Sequence, residues 1–192
     1  GMCGRFFVTS SPEIFREAYG YAEQPNFPAR HNVAPTQPVA VVTAEHGRRR
    51  FVLMRWGFLP AWVKDPDDFP LVINARIETA AEKPSFRSAF ARRRCIVPVD
   101  GFYEWRAVPG RRTKQPVFIH APGDAPLALA GLWESWQDPT APEDAPPVRT
   151  CAILTTDANA RLAPVHDRMP VILPSAAWSV WLDPASDPKG FA

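Results

Sequence analysis

The stretch Phe102–His120, FYEWRAVPGRRTKQPVFIH, decides the fold. Two short apolar runs, Phe102–Trp105 and Val117–His120, flank the basic, glycine-containing segment Ala107–Lys114, so the stretch reads as a β-hairpin with a long tip. Similar short runs lie on either side of it: Val39–Val42, Phe51–Trp56, Leu71–Asn74, Cys95–Val99, Leu127–Trp133, Cys151–Thr155 and Val171–Leu173. Short strands in this number, with few β-α-β spacings between them, predict an α+β fold on a largely antiparallel, curved or barrel-like sheet.

Proline shapes everything between these runs. The chain has 23 in 192 residues, more than twice the usual share of about 5%, and they are spread throughout. Proline inside a helix removes a hydrogen bond and clashes with the preceding turn, so helices should be few and short. Four are expected. Ser11-Pro12-Glu13 opens the first with a cap, an N1 proline and an early acid, and Gly20 ends it. Ser85 caps a second through about Arg93, Thr156 or Asp157 starts a third through Leu162, and Pro174-Ser175 opens the last, ending near Asp183. The proline-rich, acidic Gln137–Pro147 reads as a surface loop between strands. There is no internal repeat, and the length suits a single domain over residues 1–192.

Hydrophobic residues make up 46% of the chain, with seven Trp and twelve Phe, enough for a core. No apolar run approaches the roughly 20 residues of a membrane helix. Arg5 and the polar Thr9-Ser10-Ser11 interrupt the N-terminus before a signal-peptide core could form, so the cytoplasm is the expected compartment. Cys3, Cys95 and Cys151 are odd in number and widely spaced, which predicts reduced thiols and neither a disulfide framework nor a zinc site. His31, His46, His120 and His166 show no paired ligand spacing, so no metal or cofactor is expected. A net charge of +2 is too mild to announce nucleic acid by itself.

The most reactive feature is Cys3. Translation starting at Met2 would make it the second residue, with Gly1 a cloning remnant, and removal of the methionine would leave a free α-amine beside a thiol. In model compounds these groups titrate near about 7.7–8.0 and about 8.5, so both have usable unprotonated fractions at neutral pH. Such an aminothiol is suited to aldehydes and activated carbonyls.

Other residues sit where strand ends meet turns. Glu104, between Tyr103 and Trp105, either faces a semi-apolar cleft that would raise its pKa for acid–base work, or is a solvent-facing strand carboxylate. His166, in a loop stiffened by Pro164 and Pro170, is either a proton-transfer group or simply exposed. Asn74 could hold a substrate by its amide while Arg76 takes a phosphate or carboxylate, or it could be a turn residue. Trp62 would make a stacking platform for a base, whereas Trp56 reads as core.

Eight segments in order, including Met2-Cys3-Gly4-Arg5-Phe6, Asn32-Val33-Ala34-Pro35-Thr36, Ile73-Asn74-Ala75-Arg76-Ile77-Glu78-Thr79, Asp100-Gly101-Phe102-Tyr103-Glu104-Trp105 and His166-Asp167-Arg168-Met169-Pro170, resemble the SOS-response-associated peptidase (SRAP) family. The resemblance runs from residue 2 to about residue 182. It implies a sensor of abasic sites in single-stranded DNA, acting at replication forks or single/double-strand junctions, that cross-links itself to the lesion. The implied partner is abasic DNA, the protein a monomer, and its location cytoplasmic, joining the nucleoid when DNA is damaged. By this resemblance Cys3 attaches through an imine that closes to a thiazolidine. Glu104 is the acid/base, His166 shuttles a proton or stabilises the opened sugar, and Asn74 orients the terminus and lesion. Arg5, Arg76 and Arg168 would contact phosphates, Trp62 would lie beside the DNA, and Thr155 would make a weaker contact. The family is also credited with peptidase activity, most simply self-processing that uncovers the cysteine.

Two departures carry consequences. Gly1-Met2 would block the Cys3 amine unless removed, and the chain stops at Phe191-Ala192 where family members commonly continue. Two other readings compete. An N-terminal-nucleophile class II glutamine amidotransferase also begins Met-Cys-Gly, although neither an Arg-Gly-Pro-Asp nor an Asn-Gly-Glu run is present here. A non-covalent single-strand or modified-base binding module would use Cys3 only structurally.

Overall fold

The computed structural model describes residues 4–106, 108–121, 123, 125–160, 163 and 167–192, together with all of their side chains except that of His31. Cys3 and His166 therefore lie outside the described residues.

The fold is α+β with two sheets. Five strands form a closed barrel: β3 (Pro38–Glu45), β4 (Arg48–Trp56), β6 (Arg94–Val99), β9 (Leu127–Trp136) and β10 (Val148–Asp157). Their order is β10-β4-β3-β6-β9, and β9 pairs back onto β10. Closure leaves these strands no free edge. The β3–β4 hairpin turns on His46 and Gly47, both at positive φ (52° and 76°), the two-residue turn whose twist matches the flanking strands. The expected antiparallel pattern has one exception, since β10 runs parallel to β4 and to the short β5 (Asn74–Arg76).

The second sheet has the order β2-β1-β7-β8, from β1 (Phe6–Val8), β2 (Arg30–Val33), β7 (Gly101–Arg106) and β8 (Gln115–His120). Strands β7 and β8 are the hairpin expected from Phe102–His120, with Phe102 opposite Ile119 and Glu104 opposite Val117. Strand β1 lies on the other edge of β7, with Phe6 opposite Phe102.

Helix α1 (Pro12–Tyr19) forms as the sequence predicts: Ser11 Oγ accepts from the Ile14 amide, and Gly20, at φ 75°, donates its N–H to the Arg16 carbonyl at 2.8 Å. Helix α3 (Arg87–Arg92) and a 3-10 turn leading into α4 (Trp178–Leu182) occupy two other expected places, while α2 (Ile77–Ala80) follows β5 directly. The expected helix starting at Thr156 or Asp157 is not there. Both residues belong to β10, paired with Met169 and Arg168 of β11 (Arg168–Pro170). Cross-strand pairing there overrides local capping preference.

Two strand expectations are displaced. Leu71–Asn74 becomes strand only from Asn74, and Val171–Leu173 pairs regularly three residues earlier, although Ile172 still bridges Leu129. The Gln137–Pro147 loop lies between β9 and β10 as expected. The core runs through both sheets, with Phe6, Trp56, Ile96, Phe102, Leu129 and Trp181 all 0–1% exposed. No helix among the described residues is long and apolar enough to cross a membrane.

Candidate functional site

The N-terminal strand is locked to β7 by backbone and side chain together. The Tyr103 amide donates to the Arg5 carbonyl at 3.0 Å and the Asp100 amide to the Phe7 carbonyl at 2.9 Å. The Asp100 carboxylate, 7% exposed, accepts from the Thr9 and Ser10 amides at 2.6 and 2.7 Å and from the Ser10 hydroxyl. A carboxylate holding two amides and a hydroxyl makes a stiff corner, because charge-assisted hydrogen bonds are the stronger kind. The pairing with β7 therefore extends outward from Phe6 to the Arg5 carbonyl, two residues from Cys3 in sequence.

Glu104 is 3% exposed, on the buried face of a strand whose neighbours Tyr103 and Trp105 turn outward. Of its two sequence readings, the solvent-facing carboxylate is excluded by this burial. Outside it, Arg5, Asn32, Tyr103, Trp105, Pro116 and Phe118 line an open hollow of about 220 Å³. Trp105 is 49% and Phe118 62% exposed. Aromatic rings left this open next to an arginine offer a stacking surface that burial in the core would not. Trp105 and Phe118 carry no sequence signal for this exposure; their odd-numbered and even-numbered places on the paired strands become informative only once the register is known.

Asn74 and Arg76 project from β5, beside β10. Asn74 is 8% exposed; its amide nitrogen donates to the Ile153 carbonyl at 3.3 Å, and its Oδ1 has no hydrogen-bond partner among the described residues. A buried acceptor left open costs free energy unless something fills it. One tryptophan connects this strand to β1: the Trp56 ring lies 4.7 Å from that of Phe6, and its Nε1 donates to the Ile73 carbonyl at 3.1 Å. The expectation that Trp56 is core holds, at 0% exposure.

Arg76 carries an exposed side chain, 3.7 Å from Glu78. Arg168 is placed differently, at 5% exposure. It donates to both Glu78 oxygens at 3.2 and 2.9 Å, to Asp157 Oδ1 at 3.0 Å and to Thr155 Oγ1 at 3.0 Å. Thr155 is fully buried. Arg168 and Thr155 thus fasten β11, β10 and α2 together, and Glu78 joins Arg168 to Arg76. Trp62 stands on the loop between β4 and β5, 62% exposed and edge-on to Phe69. Cys3 and His166 were expected to complete the site and lie outside the described residues.

The other two cysteines are chemically silent. Both are 0% exposed. Burial pushes the Cys151 thiol up to about 12, and burial together with the neighbouring Cys151 pushes Cys95 well above the ordinary thiol range. Neither can present a thiolate at neutral pH.

Comparison with known proteins agrees with this architecture. Residues 2–191 match the profile of the family described as SOS response associated peptidase (SRAP). The chain is 38% identical over 186 residues to a Bacillus subtilis (strain 168) protein named abasic site processing protein YoqW, covering 95% of this chain and 81% of that one. It is 32% identical to the Pongo abelii abasic site processing protein HMCES, over 90% of this chain and 55% of that protein. Among solved structures, a Bacteroides thetaiotaomicron protein superimposes with a TM-score of 0.86 at 25% identity, covering 98% of this chain and 86% of the other. A phage-related protein of Bordetella bronchiseptica gives 0.74 at 32% identity, over 97% and 84% of the two chains.

Proposed function

Since the chain belongs to the SOS response associated peptidase (SRAP) family, we propose that it processes abasic sites in single-stranded DNA by capturing the lesion covalently at a mature N-terminal Cys3. The observation that carries this reading is the locked β1–β7 pairing, which holds the chain as far as Arg5, two residues from Cys3, on the strand that carries a Glu104 carboxyl only 3% exposed. The inertness of Cys95 and Cys151 supports it as well, because only Cys3 remains as a usable thiol.

The chemistry balances without an outside reagent. The ring-opened abasic sugar offers an aldehyde; the Cys3 amine adds to it, and loss of one water gives an imine. The thiolate then attacks the imine carbon, its electron pair forming the C–S bond as the C=N pair moves to nitrogen and takes a proton. The closed thiazolidine removes the imine that promotes β-elimination, so the strand stays intact. Glu104 gives a proton to the sugar ring oxygen as the ring opens and, once reprotonated, to the carbinolamine hydroxyl so that it leaves as water; on reversal it takes the proton back. Asn74, whose Oδ1 is an open buried acceptor, receives an N–H or O–H from the terminus or the lesion. His166 is assigned the opened sugar hydroxyl.

DNA would be held mainly by local charge. Arg5 and Arg76 face phosphates, with Trp62 and Trp105 available to stack bases of any sequence. Arg168 acts behind them, holding Glu78 and through it Arg76, with Thr155 as its anchor. Self-processing that removes residues before Cys3 would supply the free amine, which accords with the peptidase in the family description.

The test is a denaturing gel of protein trimmed to Cys3 with an abasic oligonucleotide. A heat-stable shifted band is expected, absent in Cys3→Ser and formed about 10²–10⁴-fold more slowly in Glu104→Gln. A Cys3→Ser protein that protects abasic strands from alkaline cleavage as well as wild type would overturn the covalent reading.

A further inference from the structure

The function above leaves one strongly charged element unused, the tip of the β7–β8 hairpin. Residues 105–120 contain Arg106, Arg111, Arg112 and Lys114 and no acidic residue. The whole chain has 22 basic and 20 acidic residues; without these four, 18 would face 20 and the remainder would be net negative. Arg111, Arg112 and Lys114 are exposed, and none has a carboxylate within ion-pair distance among the described residues. Arg106 is held along the strand by Gln115 at 3.4 Å.

The tip is shaped as well as charged. The Arg111 amide donates to the Val108 carbonyl at 3.1 Å across Pro109-Gly110, with Gly110 at φ 78°. Proline followed by a left-handed glycine is the type II turn, so the chain reverses over a defined geometry. Val108, Arg111, Thr113, Lys114, Gln115 and Pro116 line a hollow of about 460 Å³ there. Pro116 also lines the hollow beside Arg5, Trp105 and Phe118. The two concavities therefore meet at Pro116, one bordered by Arg5 and the other by the basic tip.

We propose that this tip is a second nucleic-acid contact, holding the phosphates of the single strand that flanks the lesion on one side. The proposal rests on the abasic-DNA reading above. From Glu104 to Pro109 is five residues, a span of at most about 17 Å at the roughly 3.3 Å per residue of extended chain. At about 3.4 Å or more between phosphates, that is reached by a flank of no more than about five nucleotides.

The experiment uses Arg111→Gln/Arg112→Gln/Lys114→Gln, and Arg48→Gln/Lys189→Gln as a control on exposed cations elsewhere. Binding of abasic single strands is measured against salt, with flanks of two or eight nucleotides on the 5′ or 3′ side. On one long-flanked strand the triple variant should lose about 2 from the slope of log K against log salt, at about 0.7 per phosphate. That is up to about 50-fold in affinity at 0.15 M salt. Strands with two nucleotides on both sides should bind both proteins alike, and the cross-linking rate at saturating protein should be unchanged. The control should keep the wild-type slope. An unchanged slope in the triple variant on both long-flanked strands, while wild type binds and cross-links, overturns the tip and leaves the parent reading standing. A wild type that does not prefer abasic strands overturns both.

Discussion

Replacing Gly101 with alanine tests how tightly the hairpin geometry is tied to the site. A Cβ at Gly101 would lie 2.3 Å from Phe7 Cζ and 2.5 Å from the Ile119 carbonyl oxygen. The Phe7 ring can rotate away, but the Ile119 carbonyl belongs to the strand next to β7, which pairs Gly101 with His120. Clearing even the 3.0 Å limit requires the two backbones to part by about 0.5 Å or more. Overpacking of this kind costs about 3 kcal/mol, at the upper end of the usual range, and the reduced freedom of the unfolded chain returns about 1 kcal/mol. The net is about 2 kcal/mol, or roughly a 4–8 °C fall in Tm for a chain of this size. Because Glu104 lies three residues along the same strand, a shift near half an ångström should slow adduct formation about tenfold, given about 10² per ångström. Thermal unfolding followed by circular dichroism and a time course of adduct on denaturing gels measure the two effects. Adding Phe7→Leu should not restore either one, since the carbonyl clash remains. Wild-type Tm and rate in Gly101→Ala, or full rescue by Phe7→Leu, would refute the reasoning.

Other expectations follow from the same geometry. Arg168→Met should lower stability by about 2 kcal/mol in denaturant unfolding, the cost of orphaning buried Thr155, because Glu78 and Asp157 can still reach water. Glu78→Gln should weaken DNA binding in a fluorescence titration if it positions Arg76; stronger binding would show it to be only a repelling charge. A thiol reagent at pH 8 should find one reactive cysteine in the native chain and three after denaturation. The Cys95 and Cys151 thiols are raised by burial, so the folded chain keeps protons that the unfolded chain releases. Their contribution to stability is full below pH 9 and is lost as pH rises towards about 12, which alkaline unfolding curves should show.

Much of this molecule is legible in its sequence where local chemistry decides. Ser11, Pro12 and Gly20 specify α1 at both ends, and the apolar runs around Ala107–Lys114 specify the hairpin. Prediction fails where pairing decides. Arg30-His31-Asn32-Val33 has no apolar signature, yet it forms β2 against β1. Thr156 and Asp157 look like a helix start but are held extended by β11. The site divides the same way. Glu104 and Asn74 stand out as polar residues inside apolar runs, and the structure buries both. Arg168 looks in sequence like any surface cation; only the fold reveals that Glu78, Asp157 and Thr155 surround it. Trp105 and Phe118 read as strand residues, and their exposure depends on which face the register turns outward.

The most direct test of the account is the intact mass of the product formed with an abasic single strand by two proteins, one beginning at Cys3 and one retaining Gly1-Met2. The protein beginning at Cys3 should give a species equal to protein plus DNA minus one water, resistant to heat. The longer chain should bind the strand and give none while it stays uncleaved. A full-yield adduct on the uncleaved chain, or no adduct on the trimmed one, would contradict capture by the N-terminal aminothiol.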